Sequence, residues 1–303
     1  MSQKNSIKYY IVDVFANAKY EGNQLAVFLD LEQQLSDANM QRMAKEINFA
    51  ETTFIKSNKN DERFGVRIFT PEHEVPFAGH PSIGTSYVIA KFILSEPRDN
   101  IVLELAHSDI EISFLDNDLI FMQQAQPEFR EYFTHEEIAQ ELGFSLDDLN
   151  LDLPVQEITT GLPYILIPLK NLRAMEAIRL NYAILQAFLE KRKKYRGNSA
   201  TGHSTSFFFF TKETYEPSNG YNARMQLLEN GKLSEDAATG SANGCFLAYL
   251  LQHVQPTVQT TVEQGFQIHR KSYLYLDGSV ENDWYKLGVG GRTQMVADGF
   301  WQV

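Results

Sequence analysis

The sequence has very little cysteine, little basic charge and no long apolar run. A single cysteine, Cys245, stands among 303 residues, which excludes an internal disulfide and a metal cage built from cysteines. This usage is typical of a reducing compartment, and we predict a cytoplasmic protein. No apolar run reaches the roughly 18 residues of a membrane span, and no apolar signal segment precedes the first predicted strand.

Positive charge is outweighed by negative charge. The 27 Lys and Arg against 39 Asp and Glu give a formal net charge of -12. A surface this acidic repels phosphate backbones and anionic lipid, so neither nucleic acid nor a membrane is an expected partner. The one short basic run, 191–194, ends a predicted helix, where cations are favourable. With 43% hydrophobic residues the chain is expected to bury a substantial core.

The sequence contains the same order of elements twice. Each half begins with two strands and an amphipathic helix and continues with a strand that carries an arginine, Arg67 or Arg224. A turn with a central glycine, an almost uncharged helix (83–94 or 242–253) and a β meander follow. We predict an α+β fold of two pseudo-symmetric domains, each a curved, mostly antiparallel sheet or barrel around a central apolar helix. One mixed α/β domain is the alternative.

The change of pattern near Pro127 gives the domain boundary. We predict an N-terminal α+β barrel domain at 1–125 and a C-terminal one at 126–303. The final strand, at about 292–303, either stays in the second domain or returns to the first. The cleft between two such domains is the expected site of a small ligand.

Two glycine turns are the strongest candidates for a binding function. They are EVPFAGHPS at 74–82 and EDAATGSAN at 235–243, with Gly79 and Gly240 at their centres. Each turn leads into an apolar helix, and the first turn of a helix presents unpaired N–H groups and the positive end of the dipole. A matched pair of such ends would suit a small substrate that carries a carboxylate.

Polar side chains accompany both turns. His80 follows the first glycine, and a histidine beside a helix start tends to be neutral and able to shuttle a proton. Asp236, Thr239 and Ser241 lie in the second turn. Asp236 has two interpretations, a site residue or only a capping carboxylate.

Glu51 is a candidate acid–base residue outside both turns. It lies between Phe49 and Phe54, where a helix gives way to an apolar strand. Partial desolvation there would favour its protonated form and suit it to general acid–base catalysis. A solvent-exposed glutamate at a strand start is the alternative.

Several familiar motifs are absent. The Gly-rich stretch at 288–291 leads into a strand, so it is not a dinucleotide-binding loop. His73-Glu74 lacks the second histidine of a zinc protease, and we predict no metal site. Cys245 lies inside the second apolar helix and is expected to be a packed core thiol.

Eight stretches together resemble one known family. They are EGNQLAV (21–27), AETTF (50–54), RIFTP (67–71), VPFAGHP (75–81), TGLP (160–163), EDAATGSA (235–242), EQG (263–265) and VGG (289–291). The match runs nearly end to end. The chain is similar to the PhzF-like phenazine-biosynthesis family of isomerases, which share the diaminopimelate epimerase fold.

This resemblance implies a mechanism and a set of residues. A proton would leave one carbon of a small unsaturated amino-carboxylate and return at another, without metal or coenzyme, in a homodimeric enzyme. The residues implied as catalytic are Glu51, as the acid–base group, His80 and Asp236. The expected substrate-binding residues are Gly79, Thr239, Gly240 and Ser241.

Two other functions remain open at this point. Related epimerases place a cysteine at each glycine turn, whereas this chain has His80 and Asp236 with Ser241 there, so an amino-acid epimerase would need bases other than thiols. A metabolite-binding protein without catalysis is the second alternative. The chain also departs from the family pattern at Ala237, 226–228 and 269–271, which leaves the physiological substrate open.

Overall fold

A computed structural model describes residues 6–106, 108–115, 118–197, 202–229 and 231–303. The chain divides into two compact units. The first consists of Met1–Gln123 together with Gly290–Val303, and the second of Gln124–Val289. The second unit is thus continuous in sequence, while the first is closed by the C-terminal segment.

The first unit is a mostly antiparallel sheet with two helices. Its strands pair in the order β18-β1-β2-β3-β4-β6-β7-β8, with β5 beside β4. Within the described part of this unit, β2–β3 and β4–β6 are parallel and these other pairings are antiparallel. The elements are β1 (Ser6–Val14), β2 (Asn23–Leu29), α1 (Asp37–Ile47), β3 (Glu51–Lys59), β4 (Arg63–Phe69), β5 (Glu74–Val75), α2 (Gly79–Phe92), β6 (Asn100–Glu104), β7 (Asp109–Leu115), β8 (Leu119–Gln123) and β18 (Thr293–Gln302).

The apolar helix α2 is the centre of this unit. It packs against β1, β2, β3, β8 and β18. Ser82 and Ser86 donate their hydroxyls to carbonyls four residues earlier, Ala78 and Ser82, so these polar groups are satisfied inside the core. A Cβ at Gly84 would lie 2.6 Å from the side chains of Leu25 and Val14, so glycine allows the helix to lie close to the sheet.

The second unit has the same order of pairing. β9–β10 and β10–β11 are antiparallel, β11–β12 is parallel, β12–β13 and β13–β14 are antiparallel, β13–β15 is parallel and β15–β16 is antiparallel. The strands are β9 (Glu128–Phe133), β10 (Val155–Thr159), β11 (Pro163–Pro168), β12 (Ser206–Thr211), β13 (Tyr221–Glu229), β14 (Lys232–Asp236), β15 (Thr257–Gln264), β16 (Ser272–Glu281) and β17 (Trp284–Gly291). The helices are α3 (His135–Leu142), α4 (Leu172–Ala177), α5 (Tyr182–Lys191) and α6 (Gly240–His253).

Helix α6 occupies the place in the second unit that α2 has in the first. It packs against β10, β11, β15 and β16. Twelve of its residues, from Gly240 to Leu251, are buried in an unbroken run. Such a helix has no solvent face, which explains its lack of charged side chains. A separate apolar cluster of the same unit fills the space between the sheet and α3, α4 and α5.

Local signals placed most helices correctly, and some elements were missed. Helix α3 has a capping box formed by Thr134 and Glu137, and it ends at Gly143 in the left-handed conformation. The two apolar helices begin earlier than the predicted 83–94 and 242–253, and the last turn of α2 reaches solvent at Phe92, so it is not buried on all sides. The pattern did not reveal α4, β9 or β14.

No helix in the described ranges combines the length and apolar character needed to cross a bilayer.

Candidate active site

Glu51 and His80 lie side by side in the first unit. Glu51 is the first residue of β3 and His80 the second residue of α2. The His80 Nε2 atom is 3.4 Å from Glu51 Oε2, and the side chains are 6% and 20% exposed. The structure therefore does not support the solvent-exposed alternative for Glu51. The same strand and helix are also joined by a 2.8 Å hydrogen bond between the hydroxyls of Thr53 on β3 and Thr85 on α2.

Asn23 supports the other side of the imidazole. The Asn23 Nδ2 atom is 3.4 Å from His80 Nδ1, and Asn23 is buried as the first residue of β2. The preceding Gly22 has a φ of +67°, and a Cβ there would lie 2.2 Å from the Val14 carbonyl oxygen. Only glycine fits this turn without strain, and the turn fixes where Asn23 enters the core.

Burial makes His80 a neutral histidine. Desolvation lowers its pKa from 6.5 to about 3, against a smaller opposing effect of a hydrogen bond with the Gln24 backbone. This direction of the pKa agrees with the predicted neutrality of His80, and its cause is burial. A neutral imidazole can donate one hydrogen bond and accept another, depending on its tautomer.

Replacing His80 with glutamine is expected to reduce the dependence of the free energy of unfolding on pH in the acidic range. Because the folded pKa of about 3 lies below the ordinary 6.5, the unfolded chain binds the extra proton between these values. The wild type therefore loses stability as pH falls from 6.5 towards 3, and glutamine removes that loss. Urea unfolding at several pH values across this window should show that the free energy of unfolding changes more steeply with pH in the wild type. The difference in slope should correspond to the uptake of up to about one proton on unfolding. Equal slopes would contradict a neutral, buried His80.

The second glycine turn holds Asp236 and Thr239 together. Asp236 ends β14, and Thr239 precedes α6 as its N-cap. The Thr239 hydroxyl donates to Asp236 Oδ2 at 2.6 Å. The N-cap position of α6 is thus Thr239 and not Asp236. Both residues contact the fully buried side chain of Gln264 at the end of β15, Asp236 through its backbone carbonyl.

Ser241 has a different partner. Its hydroxyl is 2.7 Å from the hydroxyl of Tyr164 on β11, and both residues are buried. The side-chain amide of Asn243, also on α6, donates to the Thr239 carbonyl and to Gln264 Oε1, both at 3.0 Å. The second turn is thus a connected polar cluster at the start of an apolar helix.

The two apolar helices differ from the others at their N-termini. Helices α1, α3, α4 and α5 each have an N-cap side chain that accepts a backbone N–H, from Ser36, Thr134, Asn171 and Asn181. In the described part of the chain, neither α2 nor α6 has such a bond, and neither has an acidic residue in its first turn. Gly79 and Gly240 stand first in these two helices, so their N-termini suit an anion better than any other helix start here.

An arginine–glutamate pair fixes the segment before each turn. Arg67 donates from Nε and Nη2 to the two carboxylate oxygens of Glu74 at 2.7 and 2.6 Å. Arg224 makes the same two contacts with Glu235, at 2.8 and 2.6 Å. Two parallel N–H bonds set both distance and orientation. The arginines noticed in the sequence therefore have a structural role beside the turns.

Cys245 lies in the core of the second unit. The thiol is fully buried, and desolvation raises its pKa to about 12, so it is a core thiol as predicted. Within the described ranges, no three His, Cys, Asp or Glu side chains come together as potential metal ligands.

Sequence reasoning missed four residues of these clusters: Asn23, Tyr164, Asn243 and Gln264. Signals for two of them were present, because Asn23 lies in EGNQLAV and Gln264 in EQG. Nothing in the local pattern around Tyr164 or Asn243 indicated a polar contact, since each lies in an apolar element.

Comparison with known proteins decides the family. The family model for phenazine biosynthesis-like protein, PhzC-PhzF, matches residues 12–299. The chain belongs to this family. It is 28% identical to the trans-2,3-dihydro-3-hydroxyanthranilate isomerase of Pseudomonas aeruginosa, over 88% of this chain and 89% of that one. A relative from Mesorhizobium japonicum, 29% identical over 96% of this chain and 97% of that one, is likewise named an isomerase, and this chain is an isomerase of the same family.

Solved structures support the predicted fold class. A phenazine biosynthesis protein of the PhzF family from Bacillus anthracis has a TM-score of 0.86 at 26% identity, with 98% of this chain and 99% of that chain covered. A predicted epimerase from Pseudomonas aeruginosa has a TM-score of 0.75 at 29% identity, with 97% and 98% covered. The α+β, epimerase-like fold is confirmed.

Proposed function

We propose that this isomerase moves a proton between two carbons of a small unsaturated amino-carboxylate, with Glu51 as the acid–base residue and without a cofactor. The observation that carries the proposal is the 3.4 Å contact between Glu51 Oε2 and Nε2 of the buried His80. A carboxylate that is mostly shielded from water and lies beside a neutral imidazole is suited to take up a proton and release it again.

His80 suits both protonation states of Glu51. In the tautomer that carries hydrogen on Nε2, this N–H lies beside the carboxylate, with Nε2 3.4 Å from Oε2, while Nδ1 accepts from the Asn23 amide. In the other tautomer, Nε2 has a lone pair that can accept a proton or hydrogen bond from a protonated Glu51, and the ring also has a hydrogen bond with the Gln24 backbone. A positively charged imidazole would stabilise only the carboxylate, so the low pKa of His80 favours a reversible transfer.

The substrate class is supported by the relatives and by the two helix starts. The Pseudomonas aeruginosa relative is named for trans-2,3-dihydro-3-hydroxyanthranilate, an unsaturated amino-carboxylate. We propose a substrate of this chemical class for the present chain, with Gly79, Thr239, Gly240 and Ser241 among its contacts. The helix starts at Gly79 and Gly240 have no side-chain cap among the described residues and can donate N–H groups to a carboxylate. We further propose a homodimer, as the family resemblance implies.

The experiment is a turnover assay with trans-2,3-dihydro-3-hydroxyanthranilate, followed by NMR in the presence of EDTA. We expect the substrate signals to be replaced by those of an isomer of equal mass. The Pseudomonas aeruginosa relative serves as the positive control. Binding of this compound without conversion, under conditions in which the control is active, would instead favour the metabolite-binding alternative.

A further inference from the structure

We propose that Gln264 is a positioning residue that fixes the carboxylate of Asp236 through the hydroxyl of Thr239. The inference rests on the proposed function in one respect, the role of Asp236 in binding or protonating the substrate. Gln264 itself is fully buried at the end of β15, and its side chain bonds to Asp236, Thr239 and Asn243 of the same unit. It acts on the reaction only through its neighbours.

Every polar position of the Gln264 amide is used at the second turn. Its Nε2 donates to the Asp236 carbonyl at 3.0 Å and to Thr239 Oγ1 at 2.9 Å. Its Oε1 accepts from the Thr239 backbone N–H at 3.3 Å and from Asn243 Nδ2 at 3.0 Å. One buried side chain therefore holds the end of β14, the N-cap of α6 and the first turn of that helix.

The direction of these hydrogen bonds is fixed by the groups themselves. The Asp236 carbonyl can only accept, and the Thr239 backbone N–H can only donate, so the amide orientation of Gln264 has one solution. Its amino group then donates to Thr239 Oγ1, which must accept. The hydroxyl proton of Thr239 is left for Asp236 Oδ2, at 2.6 Å. Gln264 thus dictates that Asp236 always receives a hydrogen bond.

The Thr239 side chain does not have the usual capping role of an N-cap threonine. A threonine at an N-cap usually accepts a backbone N–H of the first helical turn. Here no such bond forms among the described residues, and the hydroxyl is occupied by Gln264 and Asp236 instead. The helix start remains open to a ligand, while the side chain that would have capped it orients Asp236.

Gly265 allows the close approach on which the arrangement depends. Its φ is +74°, and a Cβ there would lie 2.7 Å from the carbonyl oxygen of Ala237 and 2.3 Å from that of Arg270. The chain can therefore pass directly beside the turn just after Gln264, which no side chain at position 265 would permit.

The test compares Gln264→Glu with Thr239→Val and Thr239→Ser. Gln264→Glu keeps the size and one acceptor oxygen but removes the amino group, so the Thr239 hydroxyl gains a second acceptor. We expect kcat/KM for trans-2,3-dihydro-3-hydroxyanthranilate to fall about 10-fold, the scale of one hydrogen bond to a charged group. Thr239→Val should lose a similar factor, and Thr239→Ser, which keeps the hydroxyl, should retain at least about five times the activity of Thr239→Val.

The double variant separates positioning from structural damage. If both residues act along one path to Asp236, the kcat/KM of the Gln264→Glu, Thr239→Val double variant should be at most about twofold below that of the less active single variant. A double variant whose loss of kcat/KM equals the product of the two single losses would overturn the proposal. Gln156→Glu is the matched control, because Gln156 is an equally buried glutamine of the same unit whose amide contacts the Arg130 carbonyl and His253. A loss in Gln264→Glu no larger than in this control would also overturn it.

A crystal structure of Gln264→Glu tests the inference without any assay. We expect Thr239 Oγ1 to turn away from Asp236 Oδ2, from the present 2.6 Å to beyond hydrogen-bonding distance. An unchanged contact would overturn the positioning role even if the enzyme proves active. Conversely, an inactive wild type with the expected rearrangement would contradict the proposed function alone.

Discussion

Glu51→Gln is expected to lower kcat by about 1000-fold, within the usual range for loss of a general acid–base group. The amide keeps the size of the side chain and its place beside His80, whose Nε2 is 3.4 Å from the present carboxylate, but it cannot take up a proton. KM should change little, because the replaced group acts on the reacting proton more than on binding. The measurement is steady-state kinetics with trans-2,3-dihydro-3-hydroxyanthranilate.

Two variants control this prediction. Glu46→Gln removes an exposed carboxylate from the same unit, on α1, and should leave kcat unchanged. Glu51→Asp keeps a carboxylate but withdraws it by one methylene, so its kcat should lie between those of the wild type and Glu51→Gln. A Glu51→Gln protein that keeps more than about a tenth of the wild-type kcat would remove Glu51 from the chemistry.

Glu263→Ala is expected to lower the free energy of unfolding by about 4 kcal/mol or more. The Glu263 side chain is fully buried, and its carboxylate accepts four hydrogen bonds. The donors are the backbone N–H groups of Tyr215 and Glu216, at 2.9 and 2.7 Å, and the side-chain amides of Asn219 and Asn222, both at 3.0 Å. Removing the acceptor would leave these buried donors without a partner and a cavity beside them.

The loss should be local in structure as well as global in stability. The four donors belong to the segment 215–222, whose last two residues begin β13, so amide hydrogen exchange should quicken first at Tyr215 and Glu216. Glu281→Gln, at an exposed position of β16, is the control and should stay within about 0.5 kcal/mol of the wild type in urea unfolding. A Glu263→Ala protein as stable as this control would show that the carboxylate is dispensable.

Features that depend on neighbouring residues could be predicted from the sequence. Ser36 caps α1, Thr134 and Glu137 form the capping box of α3, and Gly143 ends that helix, because each signal lies within four residues of the group it satisfies. The apolar character of α2 and α6 also follows directly from composition, since a helix buried on most faces has no use for charge.

The polar clusters could be predicted only in part. The sequence singled out Glu51 and His80 separately, but their contact depends on how β3 and α2 pack. Gln264 and Thr239 are 25 residues apart, and Asn23 and His80 are 57 apart, so no local pattern could show that they meet. The early start of α2 was missed because Gly79 and Pro81 are weak helix formers whose place in a first turn depends on the surrounding core.

The most direct test of the proposed mechanism is the transfer of solvent deuterium to the substrate by the wild type and by Glu51→Gln. In D2O, the wild type should convert trans-2,3-dihydro-3-hydroxyanthranilate to an isomer that carries deuterium at one carbon, because a carboxylate that takes up a proton can exchange it with solvent. Glu51→Gln should give neither conversion nor exchange while its circular dichroism spectrum and melting temperature match those of the wild type. Deuterium entering the product at the same rate in both proteins would contradict the central role of Glu51.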